Sequence, residues 1–264
     1  MDKKTIIFVV GTPRSGTTLL QQMMASNFEL STSEETHFYR HYHKYPYIGG
    51  FLNTRKLGIS LSKILPCTPI NKIYIRRQVF GDVVSRRLDM DENTVFVEKT
   101  PMHLRYLNEI ESDLKDCFNL VFVHIFRRRY ENVRSLYMAT QRNPKAWGGQ
   151  RSIGKCVKRW QKDMKIHLCN IGSTNHYFVS YENIVFESGM TKFLNGLQFD
   201  LNLKSRNKND PFDVRKIISE GEKWKDNNLC PLGHNSTHED FMTYEDFVVS
   251  YGVDCFYEKL KSEI

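Results

Sequence analysis

"TIIFVVGTPRSGTTLLQQMM", residues 5 to 24, decides the fold. Thr5 to Val10 is a short run rich in β-branched side chains, the pattern of a buried strand. Thr17 to Ser26 reads as a helix. Between them, Gly11 and Gly16 bracket Thr12, Pro13, Arg14 and Ser15. A strand that turns through glycines into a helix gathers backbone N–H groups around one point, and the helix N-terminus adds its positive end. An anion is expected in that cradle. The lysine that follows the second glycine of a nucleoside-triphosphate loop is absent, and Thr17 and Thr18 fill the two places. Arg14 stands earlier, inside the loop, where its planar fork can grip an anion from the side.

Outward from this stretch, strands and helices alternate. Strands are expected at Thr94–Val97, Asn119–Phe126 and His176–Ser180. Helices are expected at Ile70–Met90, Met102–Leu114, Tyr130–Thr140, Ser152–Cys169 and Glu182–Leu197, with a closing helix at Phe241–Leu260. Residues 28 to 50 hold many aromatics and histidines without a clean period and read as loop with short helical pieces. Such alternation implies an α/β fold, a parallel sheet with helices on both faces. A length of 264 residues fits one domain, and no internal repeat divides it.

The net charge of +8 favours anionic ligands. The six cysteines form no C-x-x-C pair and read as reduced thiols. The apolar run after "MDKK" is too short for a signal segment and ends at Gly11, and no stretch reaches the length of a membrane span. A cytoplasmic protein is expected.

A second basic stretch is "HIFRRRYENVRSLY", residues 124 to 137. A strand ends at Phe126, Arg127 follows it, and Ser135 lies two helical turns on. Near the first loop, "STSEETHFYRHYH" supplies carboxylates and imidazoles as candidate proton acceptors. "VFVEKTPMH", residues 95 to 103, brings Lys99 to the end of a strand. His37, His41 and His43 have no Cys or carboxylate partner at ligand spacing, so no metal is expected.

Together these stretches resemble the sulfotransferases that use 3′-phosphoadenosine 5′-phosphosulfate (PAPS). The pattern P-R-S-G-T-T is most like the tyrosylprotein and heparan-sulfate branch. The resemblance implies a three-layer, P-loop-like parallel sheet in a single domain over residues 1–264, with an acceptor-binding insertion at about 38–90 and a nucleotide-covering loop at about 203–240. It implies that Pro13, Arg14, Ser15, Gly16, Thr17 and Thr18 hold the phosphosulfate, and that Arg127 and Ser135 hold the 3′-phosphate. Glu35 is then the general base, His37 its partner or alternative, and Lys99 the cation beside the leaving oxygen. "SEGEKWKDN" resembles the family's late G-x-W-K stretch, which makes Lys223, Trp224 and Lys225 donor contacts. Tyr181 in "FVSYENIV" matches the strand–Tyr–Glu–helix connection as a structural contact of the donor site. One departure stands out. The family commonly has Asp after the 3′-phosphate arginine, where this chain has Arg128 and Arg129, and arginine at a helix start opposes the dipole unless an anion offsets it.

The implied reaction moves a sulfuryl group from PAPS to a hydroxyl acceptor, releasing 3′-phosphoadenosine 5′-phosphate (PAP) without a metal. The acceptor is a small molecule, glycan, lipid or tyrosine. Phe38, Tyr39, Tyr42, Tyr45 and Tyr47 suit a sugar, a phenol or a peptide tyrosine equally. Nucleic acid is not an expected partner, and oligomeric state is not legible. Two other readings remain at this point: a P-loop small-molecule kinase, which would need ATP and Mg²⁺, and an anionic-polymer-binding module using Arg76, Arg77, Arg86 and Arg87.

Overall fold

The computed structural model describes residues 3–44, 50–65, 78–185, 187–206 and 241–264. Lys223, Trp224, Lys225, Arg76, Arg77, Tyr45 and Tyr47 lie outside them. Five strands form one parallel sheet: β1 (Thr5–Gly11), β2 (Ser31–Thr32), β3 (Val95–Lys99), β4 (Asn119–Phe126) and β5 (His176–Ser180), in the order β2-β3-β1-β4-β5. Around it lie α1 (Thr17–Asn27), α2 (Phe38–Lys44), α3 (Gly50–Ser62), α4 (Gln78–Met90), α5 (Leu107–Leu114), α6 (Arg129–Arg142), α7 (Pro144–Trp147), α8 (Ile153–Cys169), α9 (Tyr181–Val185), α10 (Glu187–Leu201), α11 (Tyr244–Tyr251) and α12 (Cys255–Ser262). A 3₁₀ turn, Pro101–Arg105, links β3 to α5.

The sheet is buried on both faces, as parallel sheets are. Successive side chains of a strand point to opposite faces. On β1, Ile6, Phe8 and Val10 pack under α3, α4 and α5, while Ile7 and Val9 pack against α1 and α10. A third cluster, centred on Trp160 of α8, joins Phe126, Val133 and Leu136 to Phe247, Tyr257 and Leu260 of the C-terminal helices. The middle strand β1 therefore has no polar residue between Ile6 and Val10, and its 0% exposure there explains the run of β-branched residues.

Several elements depart from the sequence reading. The stretch expected as loop at 28 to 50 contains β2, whose two residues are strand because they pair with Phe96 and Val97. The expected helix at Glu182–Leu197 is two helices, α9 and α10. The expected closing helix is also two, divided at Gly252, whose φ of 76° is left-handed. Residues 101–105 take a 3₁₀ turn after Pro101 before α5 begins. The first part of the Ile70–Met90 expectation falls outside the described residues, and α4 begins at Gln78. The described cysteines, Cys117, Cys156, Cys169 and Cys255, are unpaired. Among the described residues no helix is long and apolar enough to cross a membrane.

Candidate active site

Chain order places the site. The chain leaves central β1 for the β2 edge, returns to β3, then crosses β1 to reach β4. The crevice outside the carboxyl ends of the strands, where the direction of winding reverses, is the general ligand position of such sheets. Register aligns the strand ends there: Val9 pairs with Lys99, and Gly11 with Ile125.

The loop after β1 is shaped by backbone constraints. Arg14 and Gly16 have positive φ, 77° and 105°, and Ser15 N–H donates to Thr12 O at 3.0 Å. Left-handed residues within such a turn make a concave nest of N–H groups that favours an anion. Neither glycine can grow. A Cβ at Gly11 would lie 2.3 Å from the Ile125 carbonyl oxygen, and one at Gly16 would lie 2.5 Å from the Tyr181 ring. The N-terminus of α1 has no capping side chain and no acidic residue in its first turn. Its orphan N–H groups, with the buried hydroxyls of Thr12 and Ser15 that find no hydrogen-bond partner among the described residues, leave a cradle that a phosphate or sulfate oxygen would satisfy.

The second motif abuts the first. Arg14 Nε donates to Ser135 Oγ at 3.2 Å, and Asn132 Nδ2 reaches Pro13 O at 3.5 Å. Arg127 lies with its guanidinium 4.2 Å from the Tyr181 ring centroid, and its buried Nε makes no hydrogen bond among the described residues. Burial, and then the charge of Arg127, push the Arg14 guanidinium below its ordinary value. Two guanidinium groups this close to each other favour an anion between them. The loop and the Arg127–Ser135 helix start thus fit a ligand with two anionic groups.

The Arg127-Arg128-Arg129 run divides in role. Arg129 is 4% exposed and turns away from the crevice, donating from NH1 to Tyr251 O at 3.2 Å and from NH2 to Gly252 O. Its backbone N–H donates to Asp254 Oδ2 at 3.2 Å, and that of Arg128 to Glu182 Oε1 at 3.1 Å. Tyr257 OH in turn donates to Glu182 Oε2 at 2.8 Å. The acidic residue missing after Arg127 is therefore replaced by two carboxylates from distant segments.

On the other side of β1, Glu35 follows β2 and meets the end of β3. Its Oε1 accepts from Lys99 Nζ at 2.6 Å, and its Oε2 lies 3.2 Å from His37 Nε2. Lys99 is 6% exposed, so its charge is matched inside the site by this carboxylate. Burial lowers the affinity of His37 for a second proton, against the pull of Glu35. His37 is then neutral at neutral pH, and its Nε2–H donates to Glu35. Lys63 donates to the Glu35 carbonyl.

The structure gathers Pro13 to Thr18, Arg127, Ser135 and Tyr181 on the β1–β4 side, and Glu35, His37 and Lys99 on the β3 side. Sequence reasoning missed Asn132, although it lies one turn before Ser135 on the same helical face. It also missed Glu182 and Asp254 as carboxylates for α6, for which the local sequence holds no signal. Among the described residues, no group of three or more His, Cys, Asp or Glu is arranged to hold a metal ion.

A parallel α/β sheet with an anion cradle after its first strand defines a P-loop-like fold. The chain belongs to the sulfotransferase family, whose profile matches residues 7–191. Among solved structures, it is similar to the sulfotransferase domain of the Synechococcus PCC 7002 olefin synthase, with 18% identity, 89% of this chain and 91% of that chain covered, and a TM-score of 0.54. It is also similar to the sulfotransferase domain from the curacin biosynthetic pathway, with 19% identity, 81% and 76% covered, and a TM-score of 0.51. At these identities the likeness is one of fold. No curated protein matches the chain in sequence.

Proposed function

We propose that this chain transfers a sulfuryl group from PAPS to a hydroxyl acceptor. The observation that carries the reading is the Lys99–Glu35 contact of 2.6 Å, at the strand end that pairs with the last residues before the anion loop. A carboxylate and a cation meet where a sulfuryl group held by that loop would be attacked.

In this reading the acceptor oxygen attacks sulfur in line, and the bond from sulfur to the 5′-phosphate oxygen breaks. The hydroxyl proton passes to Glu35, and the products are a sulfate ester and PAP. A base at this position contributes roughly 10² to 10⁴ in rate, about 3 to 5 kcal/mol. His37 orients Glu35 through Oε2. Lys99 and Arg14 hold the charge that builds on the leaving oxygen and the transferring group. The loop N–H groups from Ser15 to Thr18 hold the phosphosulfate, with Pro13 shaping the turn. Arg127 and Ser135 hold the 3′-phosphate, and Tyr181 backs Arg127. Lys223, Trp224 and Lys225 enter only through the resemblance of their stretch. The same resemblance supports the tyrosylprotein and heparan-sulfate-like branch, the acceptor insertion at about 38–90 and the nucleotide-covering loop at about 203–240.

The test is an acceptor screen with isotope-labelled PAPS, scored by mass, across phenols, sugars, lipid alcohols and tyrosine peptides. The expected result is label in one hydroxyl class together with release of PAP. Phosphoryl transfer from ATP and Mg²⁺ with none from PAPS would overturn the reading.

A further inference from the structure

Beneath Glu35 lies a buried polar cluster that the proposed transfer does not use. Glu98 of β3 is 0% exposed. Its Oε1 accepts from the Thr36 hydroxyl at 2.8 Å and the Thr100 hydroxyl at 2.7 Å, and its Oε2 lies 2.8 Å from His103 Nδ1. Burial works to raise this carboxyl, yet the charge of His103 and the hydrogen bonds from His103, Thr100 and Thr36 bring it down to about 2. Glu98 is an anion at any pH near neutrality, and an ionised carboxylate only accepts hydrogen bonds.

That fact fixes the direction of two hydroxyls. The protons of Thr36 and Thr100 both point at Glu98, so their oxygen lone pairs are left for backbone N–H groups. Thr100 Oγ1 accepts from Thr36 N–H at 3.1 Å and His37 N–H at 3.2 Å. Thr36 Oγ1 accepts from Phe38 N–H at 3.2 Å. The turn that carries Glu35 thus hangs on Glu98 through two threonines. It needs holding: His37 has a φ of 52°, a left-handed conformation that costs a residue with a Cβ. From α3, Ser60 ties down the Thr36 carbonyl. Glu98 and Lys99 are neighbours on one strand and point to opposite faces. One strand end therefore sends a carboxylate under the turn and an ammonium to the base it carries.

We propose that Glu98, acting through Thr100 and Thr36, is a positioning residue that aims the Glu35 carboxylate at the acceptor. This rests on the sulfotransferase reading above. Glu98 touches neither donor nor acceptor, and the cluster sets the rate of transfer without setting donor affinity.

The test compares Thr100→Val, which keeps the shape and removes the hydroxyl, with Thr100→Ser, which keeps the hydroxyl. Each variant is titrated with PAP by calorimetry and assayed with labelled PAPS and the wild type's best acceptor. Amide hydrogen exchange is followed at Thr36, His37 and Phe38. Misplacing a reacting group by about 1 Å costs on the order of 10²-fold in rate. Thr100→Val is expected to lose on the order of 10²-fold in kcat, keep its PAP affinity within about twofold, and lose protection at the three amides. Thr100→Ser is expected to recover kcat to within about threefold of wild type. Glu98→Gln, whose amide can turn its NH₂ toward the threonines, is expected to fall between them and serves if Thr100→Val does not fold. A Thr100→Val enzyme with wild-type kcat, or a Thr100→Ser enzyme as impaired as the valine variant, overturns the proposal. So does an equal loss of PAP affinity, which would mark a general structural role. If the valine variant does not fold, wild-type kcat in Glu98→Gln overturns it. A wild-type chain that neither binds PAP nor sulfates any hydroxyl overturns the functional reading itself, and that is visible before any variant is made.

Discussion

The two sides of the crevice are built by different means. On the β1–β4 side the anion cradle is made of backbone, and its limits are steric. Gly11 and Gly16 have no room for a Cβ, and the loop's turn closes on itself between Thr12 and Ser15. On the β3 side the turn at Glu35 is held by side-chain hydroxyls and an ammonium from segments 24 to 64 residues away. The first side should fail when an atom is added, the second when a functional group is removed. Anion binding needs many N–H groups in a fixed concavity. Proton transfer needs one carboxylate at one angle.

Substitutions can break that contrast. The largest effect is expected at Glu35. Glu35→Gln removes the proposed proton acceptor and should lower kcat by roughly 10² to 10⁴ while PAP affinity stays within a few-fold, measured by steady-state assay and calorimetry. Equal loss of PAP binding would mean that the two sides are not separable. Gly11→Ala comes next. Its Cβ meets the Ile125 carbonyl oxygen and Ser15 Oγ, at 2.3 and 2.7 Å. Overpacking of this kind costs about 1–3 kcal/mol, which for a chain of this size is a fall of several degrees in Tm. Thermal unfolding should show that fall, and PAP binding should weaken with it. A smaller effect comes from pH. Burial lowers His167 to about 3, and burial with nearby cationic groups lowers His41 to about 4, both from an ordinary 6.5. Below about pH 6.5 the unfolded chain takes up protons that the folded chain refuses, so stability present above that pH is lost as pH falls toward 3–4. Urea midpoints should drop steadily over that window, and His41→Gln should make the drop shallower. A midpoint that rises on acidification would contradict the burial of these rings.

The same contrast explains what the sequence reveals. The Gly11–Gly16 spacing and the Arg127–Ser135 spacing are local, because a nest and a helix face are made by residues close in the chain. The strands β1, β4 and β5 are long enough to carry a pattern, and β5 lies where the β-branched and aromatic residues place it. β2 has two residues and exists only through its pairing with β3, so no periodicity could mark it. Glu98, Thr100 and Thr36 look like ordinary polar residues until the sheet brings positions more than 60 apart into contact. Asp254 reaches the start of α6 across 125 residues, which is why the Arg128-Arg129 substitution reads as a defect in sequence and not in structure. The break in the closing helix is missed by the sequence reading, although Gly252 stands inside the helical pattern and takes the positive φ that ends α11.

The central claim is that one doubly anionic adenosine nucleotide spans the loop at Gly11 and the arginine after β4. Calorimetric titration of PAP into the chain without Mg²⁺, repeated with Arg127→Ala, tests it most directly. Hydrogen bonds to a charged group contribute about 1.5–3 kcal/mol, so the account predicts one-to-one binding that weakens by roughly 10- to 100-fold in the variant. No heat of binding in the wild type, or the same affinity in both proteins, would contradict it.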